Sequence, residues 1–74
     1  MNVKLAERVW RVRKNHTWID AQLRARADSG ACELQFYYEG ALFVTRRWPS
    51  RDEALAHAAE QLRELQRAGW NTHW

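Results

Sequence analysis

Apolar and polar residues alternate along most of the first two-thirds of the chain. From residue 19 to residue 27 every odd position is apolar, and the even positions from 18 to 26 carry mainly polar side chains. A period of two is typical of a β-strand that buries one of its faces. Similar alternation occurs in three other segments, so the pattern predicts four strands, at residues 7–14, 17–27, 31–37 and 41–48.

The first of these segments also fits a helix. Within residues 3–13, four apolar side chains have helical spacing: Leu5, Ala6, Val9 and Trp10. A hairpin favours the strand, because Asn15-His16 suits a two-residue type I′ turn, where asparagine tolerates a positive φ. This turn pairs apolar with apolar and basic mainly with acidic residues: Val12 with Ile19, Trp10 with Ala21, Arg11 with Asp20, Glu7 with Arg24, and Arg13 with Trp18. Paired opposite charges stabilise a sheet and support the strand.

Two further turns connect the remaining strands. A four-residue loop over 27–30 pairs Leu23 with Leu34, Ala21 with Phe36, and Arg24 with Glu33. The last turn is either a two-residue turn at Glu39-Gly40 or a three-residue loop over 38–40. Glutamate is poor at the first positive-φ position of a two-residue turn, which favours the loop. The loop predicts two apolar pairs: Phe36 with Leu42, and Leu34 with Val44.

A helix over residues 51–68 is predicted by an N-terminal capping signal, an apolar stripe and a C-terminal glycine. Ser50 and Glu53 form a capping box directly after Pro49, and Gly69 suits the left-handed residue of a Schellman ending. One apolar stripe runs between them: Leu55, Ala58, Ala59, Leu62 and Leu65. The predicted fold is therefore a single α+β domain over residues 1–74. A four-stranded antiparallel meander is followed by one C-terminal helix on one sheet face, with 69–74 as a tail.

The chain is short and cannot be stabilised by an intrachain disulfide bond. It has 74 residues and a single cysteine, so an intrachain disulfide is impossible. His16, His57 and His73 are too far apart for a ligand pair, and we expect neither a metal nor a cofactor. A domain of this size is marginally stable alone. We therefore predict a homodimer, formed through the uncovered sheet face or through the edge of the fourth strand.

Targeting segments are missing from the sequence. The first residues contain no apolar signal region, and no run approaches about 18 apolar residues. We therefore expect no membrane association and a cytoplasmic location.

Residues that could carry out catalysis have simpler structural explanations. The sequence contains no Gly-rich phosphate loop, no Cys/His cluster and no nucleophile motif. Glu7, Asp20 and Glu33 each have a predicted arginine partner. Cys32 falls on an apolar strand face, and His57 falls on the polar side of the helix. The sequence therefore predicts that this protein is not an enzyme.

Basic charge is concentrated in the N-terminal part of the chain. Residues 1–30 contain seven Lys and Arg against three Asp and Glu, whereas the remainder is close to neutral. Such clustering is typical of proteins that bind nucleic acids. The candidate phosphate-binding residues lie on the sheet face away from the helix: Arg11, Arg13, Arg24, Arg26 and Arg47. Three aromatic residues are predicted on the same face, for base stacking or for a subunit interface: Trp18, Tyr37 and Phe43.

Two functions fit this face. The first is a small non-catalytic accessory protein that binds single-stranded or duplex nucleic acid, with arginines on phosphates and Trp18 stacked on a base. The second is a homo-oligomeric protein-interaction module without nucleic-acid binding. In that case Asp20 and Glu33 neutralise Arg11 and Arg24, and Arg13 covers the Trp18 ring.

The predicted order of elements, four strands followed by a helix, resembles that of the Whirly single-stranded-DNA-binding proteins. These proteins act as oligomers. The Ser-x-x-Glu-Ala helix start at residues 50–54 is also similar to domains that read duplex DNA with a sheet. Both resemblances imply a nucleic-acid partner. Neither rests on a motif that would assign a role to a particular residue.

Overall fold

Four antiparallel strands and a C-terminal helix form the fold in the computed structural model, which describes residues 6–25 and 31–72. The α+β architecture predicted from the sequence is confirmed. The elements are β1 (Ala6–Lys14), β2 (Thr17–Ala25), β3 (Cys32–Tyr38), β4 (Ala41–Trp48), α1 (Arg51–Arg67) and a short β5 (Asn71–Thr72). The predicted loop over 27–30 lies outside the described residues.

The β1–β2 hairpin forms as predicted at its turn and differs at its open end. Asn15 has φ +58°, and Arg11 pairs with Asp20. Near the start of β1 a β-bulge at Val9 places two residues opposite one. Glu7 consequently pairs with Leu23, so the predicted pairing of Glu7 with Arg24 is wrong.

The β2–β3 pairing agrees with the sequence-based register in every predicted pair. Leu23 lies opposite Leu34, Ala21 opposite Phe36, and Arg24 opposite Glu33. The first two pairs are buried in the core. Apolar cross-strand pairs on one buried face set this register, because a slip of one residue would turn all of them towards solvent.

The β3–β4 turn is the two-residue alternative, so the predicted three-residue loop is wrong. Glu39 and Gly40 have φ +54° and +83°. Two hydrogen bonds hold Glu39 in this conformation: its N–H donates to the Trp18 carbonyl at 3.1 Å, and its Oε1 accepts from the Trp18 N–H at 3.0 Å. The predicted pairs also change, because a bulge at Phe43 places Phe36 opposite Val44 and Tyr37 opposite Leu42.

Local signals define both ends of α1. Ser50 caps the first turn by accepting from the Glu53 N–H at 3.2 Å, while its hydroxyl donates to Glu53 Oε2 at 3.0 Å. At the other end the Trp70 N–H donates to the Leu65 carbonyl and the Gly69 N–H to the Gln66 carbonyl, as in a Schellman motif. The helix therefore ends at Arg67, with Ala68 as its C-cap.

Small residues bring α1 close to the sheet. Ala54 and Ala58 are fully buried, whereas Ala59 is exposed, so the predicted stripe is wrong at Ala59. Trp10 lies beneath the helix, 2% exposed, and its indole N–H donates to the Ala58 carbonyl at 2.8 Å. The core lies between α1 and one face of the sheet: Trp10, Val12, Ala21, Leu23, Cys32, Leu34, Phe36, Ala54 and Ala58.

A fifth strand, absent from the sequence-based prediction, follows the helix. The sheet order is β4-β3-β2-β1-β5, and Thr72 of β5 pairs with Val12 of β1. Lys14 supports the same edge, because its Nζ donates to the Ala68 carbonyl at 2.8 Å. The edge at β1 is therefore partly covered, while β4 lies at the opposite end of the sheet. Within the described ranges, no helix has the length and apolar character needed to cross a membrane.

Candidate nucleic-acid interface

The sheet face not covered by α1, here called the open face, carries most of the charged residues of the sheet. Strand alternation and the two bulges assign its members: Arg8, Arg11 and Arg13 from β1; Trp18, Asp20, Gln22 and Arg24 from β2; Glu33, Gln35 and Tyr37 from β3; and Leu42, Thr45 and Arg47 from β4. The open face thus carries five guanidinium groups and two carboxylates. The helix does not share this excess of positive charge.

Asp20 organises the centre of the open face. It is only 8% exposed, and it accepts from Arg11 Nε at 2.7 Å and from Arg11 Nη2 at 3.1 Å. Arg8 Nε lies 3.5 Å from the same carboxylate. Hydrogen bonding to Asp20 raises the pKa of Arg11 above its ordinary value. The buried Asp20 carboxylate therefore orients the guanidinium groups of Arg8 and Arg11. Because two positive charges meet one negative charge, these three side chains together keep a net positive charge.

The Arg11 guanidinium also lies over the Trp18 ring, with Cζ 4.6 Å from the ring centre. The protein-interaction alternative placed Arg13 over this ring, and that placement is wrong. Arg13 lies directly opposite Trp18 in the register, but its Nε donates to the Asn15 carbonyl at 3.1 Å. Arg11 is the diagonal neighbour of Trp18 across the two strands, a spacing that long side chains can bridge.

The far side of the open face has a second group of opposite charges. Arg24 and Arg47 flank Glu33, because both lie opposite it in the register of the three strands. Arg47 Nη2 is 3.7 Å from Glu33 Oε2, and both Arg24 and Arg47 are exposed. Arg26, the remaining predicted arginine, lies outside the described residues.

The aromatic residues predicted for this face are divided between the two sides of the sheet. Trp18 is 37% exposed on the open face, and Tyr37 is half-buried there, with its hydroxyl donating to Gln35 Oε1 at 3.0 Å. Phe43 lies on the helix side, where its ring centre is 6.5 Å from that of Phe36. The predicted position of Phe43 on the open face is therefore wrong. The bulge places Leu42 on the open face instead.

Arg8 is a member of the open face that the alternating pattern missed. Without the bulge at Val9, Arg8 would share the face of Trp10 and point towards the helix. The sequence signal for the bulge is the adjacent apolar pair Val9-Trp10, which interrupts the alternation. The second bulge occurs at a similar pair, Phe43-Val44. In both, two neighbouring apolar side chains reach the core side of the sheet.

Groups capable of acid–base or metal chemistry are engaged elsewhere in the described parts of the chain. Glu7 forms an ion pair with Arg51 at the start of α1, and Cys32 is 4% exposed in the core. His57 was predicted on the polar side of the helix, but it is half-buried and its ring centre lies 4.9 Å from that of Trp48. Residues 6–25 and 31–72 contain no group of three or more potential ligands that could hold a metal ion.

Similarity to known proteins assigns no role to the open face. The chain matches no protein-family model, no curated protein and no solved structure.

Proposed function

We propose that this protein is a non-catalytic accessory protein that binds single-stranded nucleic acid through its open face. The observation that carries the proposal is the presence of five arginines and only two carboxylates on the sheet face that carries the partly exposed Trp18. Guanidinium groups pair with phosphates, and an indole ring stacks on any base. The proposal includes the cytoplasmic location expected from the sequence.

The shape of the face favours single strands over a duplex. Bases of a single strand can turn towards a flat sheet and stack on its aromatic residues. The major groove of a duplex admits an α-helix or a two-stranded ribbon, and the open face, built from four strands, is broader than either. The Arg11 guanidinium lies over the Trp18 ring on the open face and is held there by Asp20. This arrangement is a prepared stacking platform, because the guanidinium plane is already fixed before a base arrives.

Other arginines of the open face supply the phosphate contacts in this proposal. Arg8, Arg13 and Arg24 are on neighbouring strands, and Arg8 and Arg24 are exposed. Arg13 is half-buried and hydrogen bonded to a turn carbonyl through Nε, and its guanidinium has further donors that can reach a phosphate. Contacts of this kind are independent of sequence and weaken as salt rises, because bound phosphates release counterions.

The alternative is a protein-interaction function for the same face. It is supported by the half-buried Tyr37 and the exposed Leu42, which add apolar surface beside the arginines. An interface built on apolar contacts changes little with salt, whereas phosphate binding changes steeply. Salt dependence therefore separates the two functions.

The test is titration of a short fluorescent oligonucleotide with the protein at low and moderate salt. Engagement of three to five phosphates predicts a slope of log affinity against log salt of about −2 to −4 for a single strand. Arg13→Ala should weaken binding, and Arg63→Ala, an equal charge change on exposed α1, should not. Failure of both single-stranded and duplex oligonucleotides to bind at low salt would overturn the proposal.

A further inference from the structure

The outer edge of β4 lacks a partner strand among the described residues, because β4 is the last strand of the sheet. Six of its eight residues are exposed. Such an edge presents unpaired backbone N–H and C=O groups, which natural proteins usually cover or pair. The opposite edge is partly covered by β5 and by the Lys14 contact with Ala68. Among the described residues, the outer edge of β4 is therefore the sheet edge that remains uncovered.

Three large, exposed apolar side chains lie near the turn between β3 and β4. Tyr38, Leu42 and Phe43, here called the β4 corner, are 49%, 50% and 55% exposed. Tyr38 and Phe43 make an edge-to-face contact at 6.4 Å on the helix side, whereas Leu42 lies on the open face. A partner that covers all three must contact both sides of the sheet. A strand added to the edge does this, because its side chains alternate between the two sides.

A groove of about 330 Å³ lies between β4 and α1, next to the β4 corner. Its floor is apolar and includes Phe36, Phe43 and Val44. Arg46 of β4 and His57 and Gln61 of α1 line its sides. The groove has room for additional apolar side chains beside Phe43.

Charges around the groove are complementary to each other. Arg46 is an exposed cation on β4. Glu53 and Glu60 lie about one helical turn before and after the groove-lining His57, so they form an acidic flank of α1 beside it. A twofold interface brings one patch against its own copy and therefore needs both signs of charge within the patch. This patch meets that requirement, which favours a second copy of this chain over an unrelated partner.

We propose that two copies of this protein associate by antiparallel pairing of their β4 strands, which forms one continuous ten-stranded sheet. Pairing centred on Thr45 places Val44 opposite Arg46 of the second copy. The bulge then brings Arg47 opposite Leu42 of the second copy, so guanidinium groups do not lie directly opposite each other. Phe43 and Tyr38 from both copies fill the space between the two helices.

The twofold axis of such a pairing is perpendicular to the sheet. Both helices consequently lie on one side, and both open faces lie on the other as a single surface. If the proposed function is correct, this surface doubles the length of nucleic acid that the protein can contact. The association itself does not rest on that function, and it is measured without any nucleic acid.

The mass of the protein in solution tests the pairing. Sedimentation at tens of micromolar should give about twice the chain mass of 8.8 kDa. Leu42→Arg and Phe43→Glu should each give a folded monomer, because the first places a like charge opposite Arg47 of the second copy and the second buries a charge in the interface. Ala59→Glu is the matched control, because Ala59 is exposed on the side of α1 opposite His57. A folded wild-type monomer at this concentration would overturn the proposal and leave the edge to another partner.

Cross-linking tests the register. Residues directly opposite each other in antiparallel strands have Cα atoms about 4.5 to 5.5 Å apart, which a disulfide spans. Thr45→Cys should therefore form a disulfide-linked dimer when oxidised glutathione is added. Ala59→Cys should not form a disulfide-linked dimer under the same conditions, and wild-type Cys32 is buried and should not react. Equal cross-linking of the Thr45 and Ala59 variants would overturn the register, even if the protein is dimeric.

Discussion

The Arg11 guanidinium is stacked on Trp18 at 4.6 Å and is held there by two hydrogen bonds to Asp20. The indole ring and the guanidinium plane thus form one unit on the open face. Because Asp20 is buried, this unit is set by the fold and does not depend on a ligand. Its consequences for stability and for binding can be measured separately.

Asp20→Asn should destabilise the fold. The amide side chain would keep the shape of the carboxylate and lose the charge-assisted bonds to Arg11, at a cost of about 1–3 kcal/mol in the free energy of unfolding. Urea denaturation followed by circular dichroism measures the change. Glu64→Gln, at an exposed ion pair with Arg67, should cost much less. Equal effects of the two substitutions would contradict a special role for Asp20.

Trp18→Ala should weaken binding of a single-stranded oligonucleotide. Loss of one stacked base costs about 1–3 kcal/mol, which corresponds to roughly 5- to 150-fold in affinity. Trp18→Phe should retain most of the affinity, because phenylalanine still offers an aromatic face. Fluorescence anisotropy at low salt is the measurement. Unchanged affinity in Trp18→Ala, together with weaker binding in Arg13→Ala, would show that charge acts without stacking.

Arg24→Ala should lower the salt dependence of binding as well as the affinity. Each lost phosphate contact reduces the slope of log affinity against log salt by about 0.7 for a single strand. The effect should be similar for oligonucleotides of different sequence, because phosphate contacts do not read bases. Arg63→Ala on α1 is the control and should leave the slope unchanged. A slope that stays constant in Arg24→Ala would remove Arg24 from the interface.

Two tryptophans of the helix side should respond differently to replacement by phenylalanine. Trp10→Phe removes the indole N–H that bonds to the Ala58 carbonyl and should cost about 1–3 kcal/mol in the free energy of unfolding. The buried Trp48 Nε1 has no hydrogen-bond partner in the described structure. Trp48→Phe removes an unsatisfied donor and should therefore cost less. Chemical denaturation of both variants compares them, and a larger loss in Trp48→Phe would contradict the assignment.

Gly69→Ala should destabilise the C-terminal end of α1. Gly69 has φ +99°, a conformation that alanine adopts only with strain, at a cost of about 1 kcal/mol. A Cβ would make only ordinary contact with Lys14 Cε, at 3.5 Å, so the cost comes from the backbone. Gly69→Asn should recover part of the loss, because asparagine tolerates this region better. Thermal unfolding provides the comparison, and identical melting of Gly69→Ala and wild type would refute the argument.

Local chemistry alone determined the turn at Asn15 and both ends of α1. A positive φ, a cap and a Schellman motif depend on residues within a few positions of one another, so each is legible in the sequence. The β2–β3 register was also predictable, because its buried pairs alternate without interruption. These elements determined the fold class and placed Arg11, Arg24 and Trp18 on one face.

The β3–β4 turn depended on a contact from another strand. Glu39 is a poor residue for its position when only the turn is considered. Its carboxylate accepts the Trp18 N–H across the sheet, and this bond favours the two-residue turn. Strand β5 likewise forms only because α1 returns the chain to the edge of β1.

The exact membership of the open face depended on the packing of α1 on the sheet. The bulges at Val9 and Phe43 direct two adjacent apolar residues to the helix side, where burial is favourable. Each bulge reverses the faces of residues beyond it, which brings Arg8 onto the open face and removes Phe43 from it. Strict alternation cannot predict this exchange, because it depends on the space that the helix leaves above the sheet. The order of the elements and the charge of the open face were thus encoded locally along the chain, whereas helix packing selected the side chains that lie there.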